Sequence, residues 1–184
     1  MVKHLLNMQE CLLDMKKILD DINQEFFLTC GTLLGVVREK NFILHDQDID
    51  IGIFLKNYKK DLFQYIINSG KFKNYRIISR NKQIYELSFI HNNDIPIDIF
   101  IHFPYKNNLF YCTSVGGLCN KKKDRLCKWI YPISGLIKIK FLNTYFFIPN
   151  NYIEYLIVAY GKDWYIKKEY NYQQGLNGEY KNLL

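Results

Sequence analysis

Leu5, Met8, Leu12, Met15, Leu19 and Ile22 recur at alternating steps of three and four, while Lys16, Lys17, Asp20 and Asp21 fall off that stripe. The spacing predicts an amphipathic helix that opens the chain and packs on a core. Phe26-Phe27-Leu28 then forms a short apolar run ending at Cys30-Gly31, which reads as a buried strand entering a turn. Thr32 to Arg38 follows as a short helix, and Ile49 to Phe54, β-branched with alternating acids, as a strand. Asp61 to Ile67 reads as a second full helix, ended by Asn68-Ser69-Gly70.

Beyond Gly70, four strand-like runs separated by polar turn residues predict a meander: Tyr75 to Ser79, Ile84 to Ile90, Ile95 to Phe103 and Leu109 to Thr113. Gly116-Gly117 and Lys121-Lys122-Lys123-Asp124 mark an exposed loop. Leu136 to Phe141 and Tyr145 to Ile148 read as a hairpin across Asn143-Thr144. A last helix is expected from Asn151, where Asn151 and Glu154 have capping-box spacing, to Gly161. With no linker or repeat in view, this order predicts one α+β domain, a mixed β-sheet flanked by helices, over residues 1–184.

Composition narrows the class. Of 184 residues 48% are hydrophobic and 23% charged, enough apolar surface for a sizeable core and too little charge for disorder. Lys and Arg exceed Asp and Glu by 25 to 18, giving +7, yet the basic residues are scattered. The main cluster, Lys121 to Lys123 with Arg125 and Lys128, is short and reads as a solvated loop, so no nucleic-acid partner is expected. No apolar run approaches 18 residues, so no membrane span is expected. The polar Asn7, Gln9 and Glu10 argue against a secretory leader and for a cytoplasmic, reducing setting. Cys112, Cys119 and Cys127 lack the close pairing of zinc ligands and are read as free thiols.

The chemistry concentrates in His45-Asp46-Gln47-Asp48-Ile49-Asp50. On a strand Asp48 and Asp50 project from one face about 6–7 Å apart, with Ile49 and Ile51 turned to the core. Acids at i, i+2 and i+4 repel one another and are costly without a cation. Hard divalent ions such as Mg²⁺ or Mn²⁺ take such carboxylates together with water and substrate phosphates, so Asp48 and Asp50 are candidate metal ligands, with Asp46 at the rim. Asp98, between Ile97 and Ile99 on another strand, is the third carboxylate a phosphoryl-transfer site would use. Gly31-Thr32 lies at the start of a short helix where backbone N–H groups favour a phosphate, and Arg38 is placed to grip one bidentately.

Gly31-Thr-Leu-Leu-Gly-Val-Val-Arg38, then Asn41-Phe-Ile, then Asp46-Gln-Asp-Ile-Asp-Ile-Gly52 resembles the signature of the LicD/fukutin family within the nucleotidyltransferase superfamily. Ile97-Asp98-Ile99-Phe100, and Ile148-Pro149-Asn150 through to Tyr160-Gly161-Lys-Asp163-Trp164, extend the likeness from about Phe26 to Trp164. Glu39-Lys40, Leu44-His45 and Gln47 depart from the family pattern and leave the metal pair intact. The resemblance implies a polymerase-β-like nucleotidyltransferase core. It implies catalytic and metal-binding Asp48, Asp50 and Asp98, with Gly31 and Thr32 standing where the superfamily carries a Gly-Ser turn. The implied activity moves phosphocholine or a phospho-alditol from a CDP-linked donor to a hydroxyl of a sugar or glycan. Two alternatives use the same residues: transfer of NMP from an NTP to a small molecule, and a non-catalytic binding module that retains the fold.

Overall fold

The computed structural model describes residues 2–106, 109–114 and 127–167. Helix α1 (Val2–Asp21) is followed by β1 (Phe27–Leu28), α2 (Cys30–Leu34), a π-helical turn (Gly35–Glu39), β2 (Ile49–Phe54) and α3 (Leu62–Asn68). Then come β3 (Phe72–Arg80), β4 (Gln83–His91), β5 (Pro96–Pro104), β6 (Leu109–Ser114), β7 (Cys127–Pro132), β8 (Leu136–Phe141), β9 (Thr144–Pro149) and α4 (Tyr152–Tyr160). The expected α+β class, a mixed sheet with flanking helices, is what forms. The Lys121–Lys123 loop, Gly116-Gly117, Cys119 and Arg125 lie outside the described residues, as does the side chain of Lys128.

The strands run in the order β3-β4-β5-β2-β1-β9-β8, and the β6–β7 hairpin pairs with the end of β5. β2 lies parallel to β5 and β1 parallel to β9, while the remaining pairs are antiparallel. Isoleucine alternation explains the centre of the sheet. Ile49, Ile51 and Ile53 on β2 pair with Ile97, Ile99 and Ile101 on β5, and all six are fully buried. They share one face with Phe89 of β4, against which Phe63 of α3 packs at 5.7 Å between ring centroids. Met8, Cys11, Leu12, Met15 and Leu19 of α1 complete this core, much as the three-four stripe predicts.

The other face carries the alternate residues, Asp50, Gly52 and Phe54 beside Asp98, Phe100 and His102. Its far end is closed by rings: Phe27 lies 4.9 Å from both Phe54 and His102, and Phe54 lies 4.6 Å from Phe110. Gly52 makes this possible, because a Cβ there would lie 2.5 Å from Phe27 Cζ and 2.9 Å from His102 Cε1. Burial pushes His102 down to about 4, so its ring is neutral at pH 7; Nδ1 donates to the Phe100 carbonyl at 3.1 Å.

Four local expectations are corrected. The helix expected over Thr32 to Arg38 starts two residues earlier, at Cys30, and changes to a π-helical turn at Gly35. Gly35 is packed so tightly on Asn41 and Phe42 that its own Cβ would lie 2.7 Å from the Asn41 carbonyl. The β8–β9 turn is centred on Leu142-Asn143 and not on Asn143-Thr144; both residues have positive φ, 49° and 59°, as a type I′ hairpin needs. The Asn151–Glu154 capping box does not form. Asn151 instead donates to Glu154 through its side chain at 2.9 Å and accepts from the Ser134 N–H, so no side chain caps the helix backbone. Finally, β2 begins at Ile49, so Asp46 and Asp48 lie on the approach to the strand and only Asp50 on its face.

Gly52→Ala is expected to lower stability by about 1–3 kcal/mol in urea denaturation, because Phe27 and His102 are too confined to yield. Unchanged stability would mean that the aromatic wall is looser than its contacts indicate.

Candidate metal centre

The register of β2 against β5 sets Asp50 beside Asp98, two acids on adjacent strands and one face. Asp48 joins them from the approach to β2, and one oxygen from each of the three lies within 4.8 Å of the others. Asp50, 9% exposed, is tied to its surroundings by three hydrogen bonds. A carboxylate oxygen accepts from the Gly31 N–H at 3.1 Å, its own N–H donates to Thr32 Oγ1 at 2.8 Å, and its carbonyl accepts from the Thr29 N–H at 3.3 Å. The start of α2 is thereby stitched to β2 through one aspartate. Thr29 is in turn hydrogen-bonded to Tyr155 of α4, whose ring stacks on Tyr131.

Gly31 and Thr32 thus have a different immediate use from a phosphate cradle: the Gly31 N–H and the Thr32 hydroxyl serve Asp50. Glycine at position 31 leaves room for a close approach, since a Cβ would lie 2.4 Å from Asp46 Oδ2 and would displace that carboxylate. Asp46 is held near the cluster by His4, whose Nε2 donates to the Asp46 carbonyl at 2.8 Å. Arg38 has partners of its own. Its Nε donates to Glu39 at 2.8 Å and a terminal nitrogen to the Trp164 carbonyl at 3.1 Å, while Lys167 also pairs with Glu39. Trp164 and Tyr160 pack against the core.

Three site residues escaped the sequence reading. Arg76 of β3 pairs in register with Ser88 of β4, and Ser88 with Asp98, so one row runs Arg76, Ser88, Asp98, Asp50 across four strands. Glu86, 1% exposed, receives a hydrogen bond from Arg76 Nη2 at 2.5 Å and another from the Ser88 hydroxyl at 3.1 Å. Arg76 Nη2 also lies 3.9 Å from Asp98 Oδ2. A signal was present: Glu86 and Ser88 are polar two residues apart beside apolar Leu87, Phe89 and Ile90, hence on one face of the strand.

Burial raises the carboxyls of Asp48, Asp50 and Asp98, and the proximity of the other acids raises them further; Asp48 reaches about 6. Burial raises Glu86 as well, followed by Asp98, against the pull of Arg76. Such a cluster is short of positive charge. Three converging carboxylate oxygens form a hard donor set suited to a divalent cation, and Asp48, Asp50 and Asp98 could hold one.

A mixed sheet carrying acids in this arrangement defines a nucleotidyltransferase-type fold. Among solved structures the chain is similar to the lincosamide antibiotic adenylyltransferase LnuA, lincomycin-bound, with a TM-score of 0.51 and 11% identity over 90% of this chain and 93% of that one, a likeness of fold alone. The chain belongs to the LicD/FKTN/FKRP family, whose nucleotidyltransferase domain it matches over residues 23–151. It is 27% identical over 150 residues to the ribitol-5-phosphate transferase FKTN of Homo sapiens, and 28% identical to that of Mus musculus, each alignment covering 82% of this chain and 31% of the relative. It is also 32% identical over 117 residues to the uncharacterized protein RT0683 of Rickettsia typhi, covering 59% of this chain and 37% of that protein. The chain spans about a third of the length of the curated relatives it matches. Among the described residues no helix is long and apolar enough to cross a membrane.

The raised carboxyls give a signed expectation for metal-free protein. Asp48 titrates at about 6 when folded against 3.8 ordinarily, so the folded state takes up its proton first; stability is lower above pH 6 and recovers as pH falls toward 4. Asp48→Asn is therefore expected to be about 1–2 kcal/mol more stable than wild type at pH 7 in urea denaturation, with the difference vanishing near about pH 4. A variant less stable at pH 7 would show that the repulsion is already relieved. His102 acts with the opposite sign in both proteins, losing stability as pH falls from 6.5 through 4, and cancels in the comparison.

Proposed function

We propose that this chain is a metal-dependent phosphotransferase that moves a phospho-alditol, phosphocholine or similar group from a CDP-linked donor to a hydroxyl of a sugar or glycan. The observation that carries this reading is the convergence of Asp48, Asp50 and Asp98 within 4.8 Å in a chain of the LicD/FKTN/FKRP family. The FKTN relatives are ribitol-5-phosphate transferases, which supports the choice of transferred group. We read residues 1–184 as one LicD-like domain, supported by a sheet whose strands run from β1 near the start to β9 beside α4.

In this reading Asp48, Asp50 and Asp98 would hold Mg²⁺ or Mn²⁺, which supplies neutralisation of charge on the phosphoryl oxygens. Asp50 keeps its aim because the Gly31 N–H fixes one carboxylate oxygen and Thr32 fixes its backbone. Asp98, raised by burial and edged by Arg76, is suited to accept the proton of the attacking hydroxyl. The new bond joins that oxygen to phosphorus, the bond from phosphorus to the nucleotide breaks, and CMP leaves with the electron pair. The wall of Phe27, Phe54 and His102 keeps water from one end of the site. A reducing, cytoplasmic setting is supported by Cys11, Cys30 and Cys112, which are all unpaired thiols.

A thermal-shift screen with Mn²⁺ and nucleotides tests the proposal. CDP with Mn²⁺ at about 100-fold over Kd is expected to raise the melting temperature of the wild type by about 5 °C or more, and Asp50→Asn to abolish that shift. Stabilisation by an NTP with release of pyrophosphate would instead favour NMP transfer. No response to any nucleotide or metal would favour a binding module.

A further inference from the structure

Arg76 borders the acid cluster, and the reaction described above gives it no task of its own. We propose that Arg76, pinned by Glu86, binds a phosphate oxyanion of the reacting partner on the β3 side of the acid cluster. This rests on the phosphotransferase reading and adds to it a residue that reads the charge of what enters.

Strand spacing puts the Arg76 backbone about 10 Å from that of Asp98, across β4, and the long side chain spans the gap to bring Nη2 to 3.9 Å from Asp98 Oδ2. The guanidinium is not loose. Nη2 is fixed at 2.5 Å by Glu86, whose carboxylate is in turn fixed by Ser88 and buried from solvent. Yet the Arg76 side chain remains 43% exposed, so further N–H donors stay open to solvent at the margin of the triad. An arginine held in advance loses little rotamer freedom when an oxyanion arrives, and its planar fork matches two phosphate oxygens.

Burying Glu86 is costly, and its Oε2 finds no hydrogen-bond partner among the described residues. A surface arginine would need no such anchor. The other anion-binding groups suggested by the sequence are committed: the Gly31 N–H and Thr32 hydroxyl to Asp50, and Arg38 to Glu39 and the Trp164 carbonyl. Among the described residues, Arg76 makes the one ion pair that reaches Asp48, Asp50 or Asp98. With Glu86 and Asp98 beside it, and Asp48 and Asp50 clustered with Asp98, Arg76 attracts an anion only after a divalent cation has offset the acids' charge, so phosphate binding should depend on metal.

Calorimetric titration with Mn²⁺, then with inorganic phosphate or CDP in saturating Mn²⁺, tests this on wild type, Arg76→Lys and the paired variant Arg76→Met with Glu86→Gln, which removes both charges together. Mn²⁺ affinity is expected to stay within about threefold in all three proteins. Phosphate is expected to bind about tenfold or more weakly to the paired variant, and several-fold more weakly to Arg76→Lys, which keeps the charge and loses the fork. If CDP weakens in parallel, the oxyanion is the nucleotide's; if CDP binding holds while phosphate weakens, it belongs to the acceptor side. Phosphate binding that is unchanged in both variants, or absent from wild type with Mn²⁺, overturns the inference. CDP that fails to bind wild type while phosphate binds in an Arg76-dependent way would count against the proposed donor and leave the role of Arg76 standing.

Discussion

The parallel pairing of β2 with β5 is the constraint on which the site depends. It sets Asp50 directly beside Asp98, an arrangement that like charges disfavour, and the reverse face of the same two strands holds it there. Ile49, Ile51 and Ile53 pair with Ile97, Ile99 and Ile101 in the core, so a slip of one residue would turn the isoleucines toward the acids and the acids into the core. Hydrophobic burial on one side of the sheet therefore enforces electrostatic crowding on the other.

That crowding is organised by short, mostly uncharged contacts. The Gly31 N–H, the Thr32 hydroxyl and the Thr29 N–H all meet Asp50, which makes the start of α2 a bracket for one carboxylate. Gly31 and Gly52 are small because Asp46 on one side and Phe27 with His102 on the other occupy the space a side chain would need. Across the sheet, Ser88 and Glu86 steady Arg76 at the margin of Asp98. The acids are thus bounded by a helix start, an aromatic wall and one anchored cation.

Much of this was legible in the residues. The stripe of α1 and the isoleucine alternation are unambiguous periodicities, and Asp48, Asp50 and Asp98 stand out because acids interrupt apolar strands. What sequence could not supply was pairing: β2 meets Asp98 because β5 is its neighbour in the register that sets Asp50 beside Asp98, and nothing local specifies that neighbour. For the same reason the sequence does not single out Arg76, which lies three strands from Asp50 in one row. Thr32 and Arg38 were read from motif position, and their partners, Asp50 and the Glu39–Trp164 segment, depend on tertiary contact. The turn at Leu142-Asn143 escaped because leucine seldom adopts positive φ, and the register of β8 on β9 imposes it.

Anomalous diffraction from crystals soaked in Mn²⁺ tests the central claim most directly, because it locates the cation without reference to any substrate. The account predicts a peak about 2.1 Å from carboxylate oxygens of Asp48, Asp50 and Asp98, lost in crystals of Asp50→Asn. A well-ordered wild-type crystal with no peak between β2 and β5, or with Mn²⁺ bound only at other carboxylates, would contradict it.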